Sequence, residues 1–145
     1  MLRQTMLGSM AAALLAPALL VVSTPAPAQG AEADTVRHWE WGSVTATSGK
    51  LRKGCRSYSY SWSLQPPEGD WGLELFLIDP DGETIGSAAQ LTGVDELQGS
   101  DHFPICRNAT RTGRFLIRGL LSVQNGPNEY VEGWVKPATF KLRKK

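Results

Sequence analysis

Large and small side chains alternate most regularly between Cys55 and Gln65, in the sequence CRSYSYSWSLQ. Serines occupy the odd positions from 57 to 63, and the even positions carry Tyr58, Tyr60, Trp62 and Leu64. A period of two places successive side chains on opposite faces of a β-strand and matches no helix. The pattern predicts a strand with one large apolar face and one small polar face.

Two later stretches are apolar on both faces: Trp71 to Asp79 (WGLELFLID) and Arg114 to Ser122 (RFLIRGLLS). Strands of this kind are usually central in a sheet and covered on both sides. If nothing covers the second face, its apolar side chains form a patch for a partner. The alternative is that the segment from Ala89 to Asp101 lies over them. The residues of this predicted partner face are Phe76, Ile78, Leu116 and Leu120.

Turn signals separate the predicted strands. Pro66 to Asp70 forms one turn, and Asp79-Pro80-Asp81-Gly82 fits a type I turn that joins Trp71 to Asp79 with a short strand from Glu83 to Ala88. The stretch from Ala89 to Asp101 has little periodicity and is predicted to be a long connection.

The remaining strands are shorter. Four more are predicted, at residues 39–47, 102–106, 130–135 and 139–143, and no amphipathic helical pattern follows the first 28 residues. The fold class expected from these elements is all-β: an antiparallel β-sandwich, immunoglobulin-like or jelly-roll-like, of seven to eight short strands with one disulfide.

Residues 1 to 28 have the layout of a secretory signal peptide. Arg3 precedes an apolar run from Met6 to Val22, and Ala26 and Ala28 follow as a small-x-small cleavage site. A retained membrane anchor is the competing interpretation, but the run contains Pro17 and no basic cluster follows it. We therefore predict a signal peptide at 1–28, a disordered segment at 29–37, one domain at 38–145, and a secreted, extracellular product with no membrane contact after cleavage.

The charge balance bears on the choice of partner. Loss of Arg3 lowers the basic count from 15 to 14, which equals the 14 acidic residues, and a neutral chain argues against a nucleic-acid ligand. Residues 68–101 contain nine acidic and no basic side chains, whereas residues 107–145 contain nine basic side chains against Glu129 and Glu132. Either neighbouring strands pair these charges, or a basic surface binds an anionic cell-envelope polymer or an acidic partner. The predicted basic surface consists of Lys136, Lys141, Arg143, Lys144 and Lys145.

The two cysteines of an exported chain predict one disulfide, Cys55 to Cys106, with free thiols or intermolecular pairing as the alternatives. Cys55 shares its parity with the serines of its strand, and Cys106 is opposite in parity to Phe103 and Ile105. We therefore expect a peripheral disulfide between two strand ends, with Trp62 packing away from it.

Signals for catalysis and metal binding are weak. His38 and His102 lie in no nucleophile motif and are expected at strand ends in water. The acidic residues from Asp79 onward alternate as calcium ligands could, but Gly82 falls at the fourth loop position rather than the sixth. A turn accounts for them, so we predict no enzyme, no metal and no cofactor.

Tryptophan can provide a stacking platform for sugar rings. Trp62 and Trp71 share their parity with leucines and are assigned to the core. Trp39 and Trp41 fall on one face of a predicted strand with no other large apolar residue, so they are the ligand-binding candidates, with a structural role at the core edge as the alternative.

The segment containing Leu77, Asp79, Pro80 and Gly82, followed later by Gly113, Phe115 and Ile117, resembles extracellular immunoglobulin-like and pre-peptidase C-terminal sandwiches. In those domains a strand ending D-P-x-G precedes a G-x-[FY]-x-[IV] strand. The whole chain is similar to small secreted proteins of high-GC Gram-positive bacteria. It departs from true immunoglobulin domains because Trp62 follows Cys55 too closely for their buried Cys-Trp-Cys core.

These features together favour a secreted, disulfide-held binding module without catalytic activity, whose ligand is a protein or an anionic cell-envelope polymer. An inhibitor or effector of an extracellular enzyme is the alternative, and a small hydrolase is the third candidate.

Overall fold

The computed structural model describes residues 36–144, and in them the chain forms a β-sandwich of two packed sheets. The all-β prediction is confirmed, with nine strands in place of seven or eight. One 3₁₀ helix, Trp39–Trp41, precedes them. The strands are β1 (Gly42–Ala46), β2 (Gly49–Lys50), β3 (Cys55–Leu64), β4 (Asp70–Ile78), β5 (Thr84–Leu91), β6 (Gln98–Cys106), β7 (Gly113–Gln124), β8 (Tyr130–Trp134) and β9 (Ala138–Arg143).

The smaller sheet has the order β1-β3-β6 and the larger sheet the order β2-β9-β7-β4-β5. β7 is long enough to pair with β9 over its first half and with β8 over its second half. All pairings are antiparallel except that of β2 with β9. The N-terminal chain thus pairs with β3 of one sheet through β1 and with β9 of the other through β2. This order matches an immunoglobulin-like sandwich in which the first strand is shared between the sheets.

The alternation of β3 places its large side chains between the sheets. Tyr60, Trp62 and Leu64 are buried, and Trp62 donates a hydrogen bond from Nε1 to the Glu96 carbonyl at 3.0 Å. Burial is the main reason that the pKa of Tyr60 is raised to about 12, and the nearby Asp101 carboxylate adds to it. The serines of β3 face outward, as predicted.

β4 and β7 form the centre of the larger sheet, and their inward residues build most of the core. Leu73, Leu75 and Leu77 of β4 and Phe115 and Ile117 of β7 have at most 1% of their surface exposed. The prediction of central strands is therefore correct. The alternative, in which the segment from Ala89 to Asp101 covers their second face, is not found, because that segment forms β5, β6 and the connection between them. The outward residues of β4 and β7 are half-buried.

The disulfide joins Cys55 to Cys106, as predicted. The two residues face each other directly in the β3–β6 pairing, at the first residue of one strand and the last of the other. Cys55 is exposed and Cys106 half-buried, while Trp62 packs on the other face of β3. The peripheral position that the parity of the sequence predicted is confirmed, and the disulfide lies within one sheet.

The turn after β4 is held by the Asp79 side chain. Its Oδ1 accepts hydrogen bonds from the N–H groups of Asp81 and Glu83, and its Oδ2 accepts one from the Thr110 hydroxyl at 2.7 Å. Burial alone would raise the pKa of this carboxyl, but these hydrogen bonds outweigh it and lower the pKa below the ordinary value. The turn prediction is confirmed, and Gly82 adopts a positive φ of 85° there.

The predicted long connection from Ala89 to Asp101 is wrong. β5 continues to Leu91 and β6 begins at Gln98, so only residues 92–97 connect them. Pairing with β4 extends β5, and pairing with β3 extends β6, although neither segment alternates strongly. Pairing with neighbouring strands thus stabilises the strand conformation of segments whose own periodicity does not predict it.

The predicted strand from Trp39 to Thr47 is also corrected. His38, Trp39 and the next two residues form a 3₁₀ turn, closed by a hydrogen bond from the Trp41 N–H to the His38 carbonyl at 3.0 Å. Side chains three residues apart eclipse in this geometry, which lets the His38 ring stack on the Trp41 ring at 3.8 Å. The strand begins only at Gly42.

The N-terminal predictions fall mostly on residues that the structure does not describe. The signal peptide at 1–28 and the disordered segment up to residue 35 lie outside the described residues. Val36 and Arg37 are described, and they correct the predicted limit at 37 because they pair with Trp134. No helix among residues 36–144 is long and apolar enough to cross a membrane.

Candidate functional site

The outer face of the larger sheet carries the four residues of the predicted partner face. Leu116 of β7 lies directly opposite Ile78 of β4. The next cross-strand pair on the same face is Arg118 of β7 with Phe76 of β4. Leu120 follows on β7, so the four apolar side chains are neighbours. All four are half-buried, and the short 92–97 connection lies at the other end of β4, beside Trp71. The structure thus brings this set together on a face that the segment 89–101 does not cover.

Trp134 completes this outer face, and the sequence analysis missed it. It lies opposite Leu120 in the β7–β8 pairing. The Trp134 and Phe76 rings meet edge to face, with 6.3 Å between their centroids. The Cζ atom of Arg118 lies 3.9 Å from the centroid of the Trp134 ring. A cation over the face of tryptophan is a favourable contact. The shared parity of Leu116, Arg118 and Leu120 in the sequence would have placed the arginine on this face.

A groove of about 370 Å³ opens beside the outer face, where β8 ends and β9 begins. Trp39 stands on one side of it with 53% of its surface exposed, and Trp134 stands on the other. Arg37 and Arg118 bring two guanidinium groups to the same groove. We call these four residues the Trp–Arg groove; Leu116, Val135 and Pro137 complete its lining.

The N-terminal chain positions Trp39 through backbone pairing. The His38 N–H donates to the Trp134 carbonyl, and the Trp134 N–H donates to the Val36 carbonyl, both at 2.9 Å. The His38 ring lies so close to Gly133 that a Cβ there would approach it to 2.3 Å. Glycine at position 133 is what lets this segment lie flat against β8.

The second tryptophan candidate, Trp41, does not reach the groove. It is half-buried, stacks on His38 and packs against the core. His38 Nδ1 lies 2.6 Å from Glu40 Oε1, and this hydrogen bond lowers the pKa of Glu40. The structure thus separates Trp39 from Trp41: the first is available to a ligand, and the second occupies the structural position that was the alternative.

A second candidate site, absent from the sequence predictions, lies at the disulfide end of the sandwich. A depression of about 690 Å³ there is lined by five basic side chains and the buried Leu51. No acidic side chain of the described chain lines it, and among residues 36–144 none of the five forms an ion pair. We call these residues the basic cradle: Lys50, Arg52, Lys53, Arg56 and Arg107.

The sequence contained a signal for this site. The run LRKGCR places three basic residues next to Cys55, and Arg107 directly follows Cys106. Since Cys55 and Cys106 are paired, these residues must converge. The predicted basic surface was placed instead on the C-terminal residues, of which Lys136 and Lys141 do not line this depression.

The expected pairing of charges between neighbouring strands is not found among the described residues. The ion pair that joins the acidic and basic segments connects Asp81 and Arg111, which lie in turns. Within the strands, Arg114 lies directly opposite Lys141, a like-charged pair. The reason is positional: several carboxylates of the acidic segment lie in the turns before β4 and after β5, far along the strands from the disulfide end.

The two histidines lie in separate exposed settings. His38 is next to Glu40, and His102 is next to Asp101 in the middle of β6 rather than at a strand end. No group of three or more His, Cys, Asp or Glu side chains that could hold a metal ion occurs among residues 36–144. Neither candidate site contains a histidine.

No protein-family model matches the chain, and the search of curated proteins finds no match.

Proposed function

We propose that this protein is a secreted binding module whose outer face and Trp–Arg groove bind a protein partner outside the cell. The observation that carries the proposal is the apolar outer face of the larger sheet, which no further sheet covers among residues 36–144. Phe76, Ile78, Leu116 and Leu120 lie on two central strands, half-buried and contiguous, with Trp134 beside them. Contiguous apolar surface of this kind marks interaction sites on soluble proteins.

The composition of the surface favours a protein over a polymer. Tryptophan and arginine are the residues that contribute most to protein–protein affinity, and here two of each lie together in the groove. Charges of both signs surround the apolar centre, with Glu74 and Glu132 toward one end and Arg114 and Lys141 toward the other. An apolar centre with a mixed polar rim is the usual anatomy of a protein interface.

Export supports the extracellular setting. The first 28 residues have the layout of a signal peptide, and the Cys55–Cys106 disulfide requires an oxidising compartment to persist. Secretion of the chain, with cleavage after Ala28, is part of the proposal.

The test compares charged substitutions on the outer face of the larger sheet with charged substitutions on the outer face of the smaller sheet. The oxidised chain from Gln29 onward is immobilised and exposed to the envelope and culture fractions of the producing cell. Leu116→Asp with Leu120→Asp should abolish retention of the partner, because charge is placed in the apolar centre. Thr45→Asp with Ser100→Asp, on the exposed face of the smaller sheet and outside both the Trp–Arg groove and the basic cradle, is the matched control and should retain it.

Equal retention by both double variants would refute the proposal that the outer face is the binding surface. Protease treatment of the fractions beforehand separates the ligand classes. Loss of the retained species after proteolysis supports a protein partner, whereas retention of a protease-resistant polymer would contradict it.

A further inference from the structure

The basic cradle is a concentration of like charge that the fold itself imposes. Cys55 and Cys106 are directly opposite, so Arg56, the second residue of β3, and Arg107, the residue after β6, are brought to the same place. Lys50 at the end of β2, and Arg52 and Lys53 in the loop that leads into β3, complete the lining. Like charges held together repel one another and destabilise the folded state. An anionic ligand would relieve that repulsion.

The backbone that carries these charges is fixed at several points. The Tyr58 hydroxyl accepts a hydrogen bond from the Arg52 N–H and donates one to the Lys50 carbonyl, each at 3.0 Å. Leu51 between them is 1% exposed, and its N–H donates to the Arg143 carbonyl at 2.9 Å. The cations are thus presented from a preorganised loop, which lowers the entropic cost of binding.

The Cys55 side of the cradle is fixed in the same way. Gly54 adopts a positive φ of 76°, and its carbonyl accepts a hydrogen bond from the Arg107 N–H at 3.1 Å. The disulfide then closes the end of the strand pair. Both halves of the cradle are therefore held independently of any ligand.

The shape of the cradle indicates a chain rather than a single anion. A second depression, of about 540 Å³, adjoins the first and shares Lys50, Arg52 and Arg56 with it. The second depression continues past Ser48 toward Ser57 and Ser59 on the outer face of β3, which adds hydroxyl groups as hydrogen-bond donors. The two together form a trough with cations at its centre.

The side chains of the trough suit oxyanions that accept paired hydrogen bonds. Three of the five cations are arginines, whose planar forks bind phosphate or carboxylate oxygens in pairs and are widely used in phosphate recognition. We propose that the basic cradle binds a linear polyanion bearing phosphate groups, at a site separate from the outer face. The protein would then hold a phosphate polymer at its disulfide end while the larger sheet binds a protein.

The first measurement uses long-chain inorganic polyphosphate as the probe, with the oxidised chain from Gln29 onward, by titration calorimetry at several salt concentrations. With five cations engaged, the slope of log K against log salt should be about −3.5. Inorganic phosphate should bind far more weakly, and equal affinity for it would overturn the inference of an extended chain. Polyglutamate carries one carboxylate on every residue, and equal affinity for it would overturn the assignment to phosphate.

Neutralising variants then locate the site. Arg56→Gln with Arg107→Gln should weaken polyphosphate binding by at least about tenfold and reduce the slope to about −2. Lys136→Gln with Lys141→Gln removes the same charge outside the cradle and should change affinity less than about threefold. Equal losses in both double variants would show diffuse attraction and overturn the assignment of a site.

A charge-preserving variant tests the arginine forks. Arg52→Lys, Arg56→Lys and Arg107→Lys together keep the net charge, so the salt slope should hold while affinity falls several-fold. Unchanged affinity would overturn paired recognition of phosphate. Leu116→Asp with Leu120→Asp should leave polyphosphate binding intact. The proposal of a phosphate site in the cradle and the proposal of a protein-binding outer face can therefore be refuted independently. Loss of polyphosphate binding in that variant would overturn the separation of the two sites.

Discussion

The exteriors of the two sheets differ, although their inner faces build one core. The smaller sheet presents small polar side chains, and across β3 and β6 the hydroxyls of Ser61 and Ser100 lie 2.8 Å apart. The larger sheet presents Phe76, Leu116 and Trp134. A sandwich needs only one apolar face per sheet to fold. The apolar exterior is therefore surplus to the needs of the core, which is the reason to assign it to binding.

The two candidate sites also differ in charge. At the disulfide end, the basic cradle has no acidic side chain in its lining. Acidic side chains lie at both ends of the strands: Asp79 and Asp81 in the turn that contacts Thr110 and Arg111, and Glu68, Asp95 and Glu96 in the turns at the other end. The separation of charge is therefore local to the cradle, and the two candidate sites use different surfaces.

The largest expected effect separates the inner and outer faces of β7. Ile117→Ala should lower the free energy of unfolding by roughly 2–5 kcal/mol, because Ile117 is 1% exposed and its removal leaves a cavity. Leu116→Ala, one residue away on the half-buried outer face, should cost about 1 kcal/mol or less. Urea unfolding followed by tryptophan fluorescence measures both. Equal costs would mean that the outer face is part of the core after all.

The next largest expected effect on stability concerns the Cys55–Cys106 disulfide of the smaller sheet. Replacing both cysteines, Cys55→Ala with Cys106→Ala, should lower the free energy of unfolding by about 2–4 kcal/mol, since the bridge closes a separation of 51 residues. The native near-UV circular dichroism of the aromatic residues should persist, because the sulfurs lie outside the core that contains Tyr60 and Trp62. Loss of that signal without denaturant would contradict the peripheral position.

Two glycines give a smaller contrast between the sheets. A Cβ at Gly99, in the smaller sheet, would approach the Trp62 ring to 2.3 Å, so Gly99→Ala should cost about 1–3 kcal/mol. A Cβ at Gly72, in the larger sheet, meets Leu91 at an ordinary 3.4 Å. Gly72→Ala should therefore be neutral or slightly stabilising in thermal unfolding. A similar loss at both positions would argue that backbone freedom, not contact with Trp62, sets the cost.

The smallest effect concerns pH and the Asp79 turn of the larger sheet. Because hydrogen bonds lower the pKa of Asp79 in the folded protein, its carboxylate adds stability above the unfolded pKa of 3.8. That contribution is lost as pH falls through the lower folded pKa. The stability advantage of wild type over Asp79→Asn should be full above about pH 5 and shrink below about pH 4.

The control for this prediction is Thr110→Val, which removes the hydroxyl that donates to Asp79 Oδ2. Its pH dependence should lie between wild type and Asp79→Asn in urea unfolding from pH 2 to 7. A constant difference between wild type and Asp79→Asn over this range would contradict the lowered pKa.

The elements predicted correctly were those with a strong local pattern. The alternation of β3, the Asp79 turn and the disulfide, together with its peripheral position, all follow from parity, proline, glycine and the count of cysteines. Phe76 and Leu116 were also placed on one face, because both belong to strands whose two parities are apolar. Their sheet neighbours across the register could not be read from the chain.

The prediction failed where a distant partner decides local structure. Nothing in Trp39 to Trp41 signals a 3₁₀ turn, which depends on the stacking of His38 on Trp41 and on the space above Gly133. The Trp–Arg groove combines residues from the N-terminal segment, β7 and β8, so no local pattern contains it. The basic cradle is an intermediate case, because the predicted disulfide already implied that Arg56 and Arg107 meet.

By itself the sequence determined that this chain is an all-β, disulfide-linked sandwich. Side-chain parity and turn residues are local signals, and two cysteines allow only one intramolecular disulfide. Only the tertiary structure decided which strands are neighbours, that the segment 89–101 does not cover the outer face, that Trp39 and Trp134 share a groove and that five cations share a cradle. These arrangements rest on strand register and sheet order, which long-range hydrogen bonding and core packing select and which leave no periodic trace in the sequence.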